Sequence, residues 1–250
     1  MLEEQDMNSG EMPVALVVGA GDAIGAAISR KFAEDGFRVC VARRNADKLE
    51  DLVAAMKADG LEATAFGCDA RKEDQIETLF KDIEANYGPL EVVVFNVGAN
   101  VPMSILETSS QKFSKIWEMA CFAGFLTGRE AARVMSPRKK GTIIFTGATA
   151  SVRGGANFGA FASAKHGLRA LAQSMARELG PQNIHVAHVI IDAAVDTPWI
   201  RDFLPNYQAL ADKDGIVIPN DLAENYVMLH HQPKNAWTFE LDIRPWIERW

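Results

Sequence analysis

From Pro13 onward, short runs of apolar and β-branched residues alternate with longer stretches whose apolar positions recur every three or four residues. The short runs at 14–20, 37–43, 62–68, 90–98, 141–148 and 184–191 read as strands, because they are too short and too uniformly apolar for amphipathic helices. The longer ones at 23–36 and 46–60 read as helices, stopped at Gly36 and Gly60. Two more helices are expected over 113–135 and 163–179. Repeated strand–helix units of this kind specify an α/β fold, a Rossmann-type doubly wound parallel sheet flanked by helices. The rhythm breaks at 197–221, a mixed segment with three prolines that reads as a substrate loop or lid. A helix at 221–233 and a last strand within 236–246 follow. Residues 1–12 carry no such pattern and read as a loose polar arm, leaving one domain over 13–250.

Composition narrows the function classes. Apolar residues make up 48% of the 250 residues and charged residues 24%, ample for one packed core. A net charge of −7 argues against nucleic acid as a partner, since phosphate binding needs a basic surface. No basic run suggests a membrane surface, and no apolar span approaches the roughly 18 residues of a crossing helix. Cys40, Cys68 and Cys121 are odd in number and scattered, which fits a reducing, cytoplasmic setting better than a disulfide framework. The five histidines show no metal-ligand spacing, so no metal is expected.

The first strand runs into Gly19-Ala20-Gly21-Asp22-Ala23-Ile24-Gly25 and then a helix. A turn built of small residues at a helix N-terminus suits a pyrophosphate, which free N–H groups and the helix dipole attract. The plainer alternative is a tight strand–helix turn. VGAGDAIG resembles the TGxxxGxG turn of the short-chain dehydrogenase/reductase family, with Gly19 and Gly25 on family glycines and Ala23 where the family has a third. The resemblance extends to Asp69, matching an aspartate at the adenine edge, to Asn96-Val97-Gly98, matching the NNAG segment, and to Thr197. It implies the same fold, a nicotinamide dinucleotide cofactor, and a homodimer or homotetramer formed by the helices over 113–135 and 163–179.

At the end of strand two an acidic side chain would accept hydrogen bonds from the adenosine ribose. Here that position is Ala42, followed by Arg43 and Arg44. A missing acid beside two guanidinium groups favours a 2′-phosphate, hence NADP(H) over NAD(H). Asp22, at a position often basic in NADP-using members, argues the other way; a merely solvated face is the plain reading of the arginines.

The catalytic positions implied by the resemblance are altered. The YxxxK tyrosine falls on Phe161, which has no proton to exchange, while the lysine is kept as Lys165. The family serine falls on Ala148 and the family asparagine on Cys121. No tyrosine lies between Tyr87 and Tyr207, so no shift of register restores the motif. Thr149 is one residue from the serine position, but a one-residue slip turns a side chain to the other face. Asp192-Ala193 replaces the proline-glycine after strand six, and Asp192 reads first as a carboxylate satisfied by backbone N–H groups, second as an acid/base residue. Tyr207, in the lid, is a second candidate proton source. These residues lead to an NADP(H)-binding family member with an apolar ligand pocket and little ordinary alcohol or carbonyl activity. Two alternatives remain: a reductase of activated C=C or C=N bonds using another proton source, and a cofactor-loaded partner that assembles with an active paralogue.

Overall fold

The computed structural model describes residues 12–248. Seven parallel strands lie in the order β3-β2-β1-β4-β5-β6-β7. In chain order they are β1 (Val14–Val18), β2 (Arg38–Arg43), β3 (Ala63–Gly67), β4 (Leu90–Phe95), β5 (Gly141–Thr146), β6 (Ile184–Ile191) and β7 (Glu240–Ile243). The helices between them are α1 (Ile24–Glu34), α2 (Glu50–Ala58), α3 (Glu73–Asn86), α4 (Ser110–Trp117), α5 (Ala123–Met135), α6 (Gly159–Leu179), α7 (Pro198–Phe203), α8 (Tyr207–Ala211) and α9 (Pro219–His230).

Strands buried on both faces must be apolar throughout, which is why the patterns were continuous rather than alternating. Every residue of β1 and of β6 is buried. Successive side chains still serve opposite layers: Val14, Leu16 and Val18 join the core beneath α3, α5 and α6, whereas Ala15 and Val17 join the core beneath α1 and α9. Burying a Leu, Ile or Phe side chain stabilises by about 1.5–3 kcal/mol, so these two cores carry the fold. Strand order reverses between β1 and β4, and at such a switch point the loops leaving the strand ends diverge and open a crevice.

Several boundaries depart from expectation for identifiable reasons. β1 stops at Val18 because Gly19 turns at φ +89° and donates its N–H to the Ala42 carbonyl. The helix expected over 113–135 is divided: Ser109 caps α4, and a π turn at Glu118–Phe122 precedes α5. The last strand covers only Glu240–Ile243, since Trp237 stacks on His185 with ring centroids 4.8 Å apart and hydrogen-bonds the Gln232 carbonyl instead of joining the sheet. The lid is partly helical: α7, α8 and the start of α9 lie inside 197–221, and a parallel bridge between Val195 and Val217 draws its two ends together. Beyond β7, Trp246 donates its indole N–H to the Lys213 carbonyl, and a Cβ on Gly215 would fall 2.6 Å from Ile247. The tail therefore packs on this chain's own lid base.

Candidate functional site

The glycine turn is held from both sides. Asn96, at the end of β4, donates its side-chain amide to the Gly19 carbonyl at 3.1 Å. A Cβ on Gly25 would lie 2.6 Å from Ala20 Cα and from the Gly19 carbonyl, so only glycine lets α1 start this close to the turn. Ala23, which precedes α1, supplies no side-chain cap. The first N–H groups of α1 therefore end in a polar, anion-attracting terminus beside the crevice.

Two cavities flank that turn, sharing Val97 and Gly98. One, of about 440 Å³, is lined by Gly19, Ala42, Arg43, Arg44, Lys48, Asp69, Arg71 and Met119 among others. Arg43 donates to Asp22 at 2.9 Å across its rim and also to the Lys48 carbonyl. Arg71 grips both carboxylate oxygens of Asp69, at 2.9 and 2.5 Å. That guanidinium holds the Asp69 carboxyl below the usual carboxylate range. Four cationic side chains thus surround this cavity, two of them, Arg43 and Arg71, already paired with Asp22 and Asp69. Lys48 and Arg71 had escaped sequence reasoning; the Asp69-x-Arg71 spacing was the available signal.

The second cavity, of about 210 Å³, is walled by Ile24, Asn96, Ala148, Phe161, Lys165, Ile191, Ala193 and Val195 among others. Lys165 is 3% exposed and donates to the backbone carbonyls of Thr146 at 2.8 Å and Val97 at 3.2 Å. Its Nζ lies 5.9 Å from the centre of the Phe161 ring. Burial, with no carboxylate to offset it, pushes this ammonium down to about 8. Phe161, Cys121 and Ala164 belong to one small apolar cluster with Ala148 at its edge. Burial also raises the Cys121 thiol above its ordinary value, which keeps it protonated. The lining's hydroxyl, on Thr146, is hydrogen-bonded to the buried Tyr226 phenol at 2.8 Å.

Other candidate residues turn elsewhere. Thr149 donates to Asp192 at 2.6 Å and Arg153 donates to the same oxygen at 2.9 Å. Asp192 is thus satisfied by a hydroxyl and a guanidinium, not by the backbone N–H groups expected of a loop start. Neither Thr149 nor Asp192 lines the Lys165 cavity. Tyr207 donates to Asp196 at 2.8 Å, beside Arg201, and is held in the lid. Thr197 spends its hydroxyl capping α7. Behind Gly147 lies a network the sequence did not reveal: Arg169 chelates Glu240, which accepts from His188 Nδ1 at 3.1 Å if that nitrogen carries the proton. Among the described residues no group of three His, Cys, Asp or Glu side chains is placed to hold a metal ion, and no helix is long and apolar enough to cross a membrane.

Comparison with known proteins follows the same outline. The short chain dehydrogenase family model matches residues 13–207. The structure resembles a short-chain dehydrogenase from Rhodopseudomonas palustris, with a TM-score of 0.81 and 51% identity, over 94% of this chain and 99% of that one. It resembles a metagenomic short-chain oxidoreductase solved in complex with NADP, with a TM-score of 0.81 and 27% identity, over 95% and 99% of the two chains. Zerumbone synthase of Zingiber zerumbet is 29% identical over 235 residues, 88% of each chain. Glycine turn, sheet order and these likenesses agree: the chain belongs to the short-chain dehydrogenase family.

Proposed function

We infer that the protein holds NADP(H) in preference to NAD(H) and has little or no ordinary alcohol or carbonyl activity. The observation that carries this reading is the composition of the Lys165 cavity. Phe161 and Ala148 face it where proton-exchanging hydroxyls would be needed, and Thr146, its one lining hydroxyl, is engaged by Tyr226. Bound cofactor would supply hydride; a carbonyl substrate also needs a proton on its oxygen as charge develops there. Among the described residues lining this cavity, Lys165 alone carries an ionisable proton.

Binding, by contrast, is well provided for. The uncapped start of α1 suits the pyrophosphate. Arg43 and Arg44, with Lys48 nearby, suit a 2′-phosphate, and Ala42 leaves no carboxylate to repel it. Asp69, Asn96 and Gly98 shape the crevice, and the third N–H of Lys165, beyond the two given to carbonyls, is free for a ribose hydroxyl. Resemblance to a relative solved with NADP supports the same cofactor. A homodimer is the assembly we infer: Trp117 and Phe125 are part-exposed and stack through Phe122 along the α4–α5 face.

Titration with NADPH and NADH, followed by nicotinamide fluorescence, tests the cofactor reading; NADPH binding at least ten-fold tighter is expected, and binding of neither defeats it. A panel of aldehydes and ketones tests the chemistry. Turnover at ordinary enzyme rates of about 1–1000 per second would defeat the assignment of Phe161.

A further inference from the structure

We propose that Lys165 is a covalent capture site for small aldehydes and ketones, forming an imine in the apolar cavity it lines. Its geometry is that of a nucleophilic amine. In the neutral –NH₂ form both hydrogens have acceptors, the carbonyl oxygens of Thr146 at 2.8 Å and Val97 at 3.2 Å. The lone pair is then left to the remaining tetrahedral direction, away from those carbonyls. The walls at Phe161, Ala148, Ile191 and Val195 offer an apolar surface to an aliphatic chain. An amine buried without a counter-charge is the setting in which enzymes favour a free, nucleophilic lysine.

Charge around the nitrogen is sparse. Cys121 faces it from the π turn and His188 acts on it from β6. The thiol is held protonated and the imidazole is pushed down to about 4, so both are neutral near pH 7. No carboxylate bonds to Lys165 among the described residues. With the amine brought down to about 8, an appreciable fraction is free base at pH 8, where an ordinary surface lysine is almost wholly protonated.

The step balances without oxidant or reductant. The amine lone pair forms the C–N bond as the carbonyl π electrons move to oxygen; that oxygen leaves as water with the two nitrogen hydrogens, and C=N replaces C=O. Protonated from solvent, the imine gains one N–H for the Thr146 carbonyl.

Exposing the intact protein to butanal and sodium borohydride at pH 8, then mapping alkylated lysines by peptide mass spectrometry, tests this. Lys165 is expected to be alkylated at least ten-fold faster than the exposed Lys112, with the fast phase absent in Lys165→Arg. Alkylation of Lys165 no faster than of Lys112 overturns the proposal. A parallel sample with saturating NADPH separates it from the cofactor reading. Protection of Lys165 supports capture in the same cavity that the nicotinamide ribose would cover. Undiminished fast alkylation leaves the capture site standing and overturns the nucleotide reading instead.

Discussion

The two cavities beside the glycine turn are only a few residues apart, yet they differ in kind. The larger has Arg43, Arg44, Lys48 and Arg71 around it; the smaller has one cation, Lys165, and walls that are mostly alkyl and aromatic. Holding a dinucleotide depends mainly on backbone: a turn no side chain can enter, a helix terminus and a strand end tied by Asn96. Proton transfer depends on single oxygen atoms. The first survives many substitutions and the second is lost with one, so in this fold binding and chemistry can part company.

Restoring those oxygens should have the largest effect. Phe161→Tyr together with Ala148→Ser is expected to raise carbonyl reduction by about 10²–10⁴-fold, the usual worth of a positioned acid/base group. Steady-state assay with NADPH measures it, and an unchanged rate would mean that the smaller cavity is defective in more than its hydroxyls.

Next comes acid sensitivity from buried histidines on both faces of the sheet, His188 towards α6 and His185 and His230 on the α1–α9 side. Burial pushes His188 and His230 from an ordinary 6.5 down to about 4, and His185 lower as well. The folded chain keeps these rings neutral, so the unfolded chain takes up protons first. Stability is complete above about pH 6.5 and falls as the pH drops towards 4, by up to about 3 kcal/mol for one such group. Urea midpoints across that range test it, and His188→Gln should flatten the slope without altering the nucleotide half.

On the other side of the comparison, Arg43→Ala with Arg44→Ala should weaken NADPH about ten- to hundred-fold and leave NADH nearly unchanged, since each charged hydrogen bond lost costs about 1.5–3 kcal/mol and some are compensated. Equal weakening of both cofactors would place the arginines outside the 2′-phosphate site. The smallest effect belongs to Ala23→Gly, expected to tighten either cofactor by about two- to five-fold by removing a methyl beside the helix terminus. Calorimetric titration resolves both.

The parallel sheet and the glycine turn were legible because they rest on local pattern: continuous apolar runs, helical periodicity and a turn only small residues make. Phe161, Ala148, Cys121 and Lys165 were legible by resemblance and do lie together. What stayed hidden was long-range pairing. Glu240 meets Arg169 across 71 positions and His188 across 52, and Asp192 meets Thr149 across 43; no local spacing records such partners. Asp192 illustrates the consequence, since a carboxylate expected to be met by backbone N–H groups is engaged instead by Thr149 and Arg153. The π turn was equally invisible, because residues 118–122 have ordinary helix-forming character and only tertiary packing widens the coil there.

The tail's contact with the lid helps to fix the lid's base. The Val195–Val217 bridge draws the two ends of the lid together, and beside its C-terminal end lie Trp246 on Lys213 and Ile247 against Gly215. The stretch between them, carrying α7 and α8, is tied to the start of the lid by Arg201 and Tyr207, which both donate to Asp196. Trp246→Ala should therefore loosen the lid base, read as faster amide exchange around Lys213 and Gly215, and leave unchanged the cavity around Lys165, to whose lining residues 197–221 do not contribute.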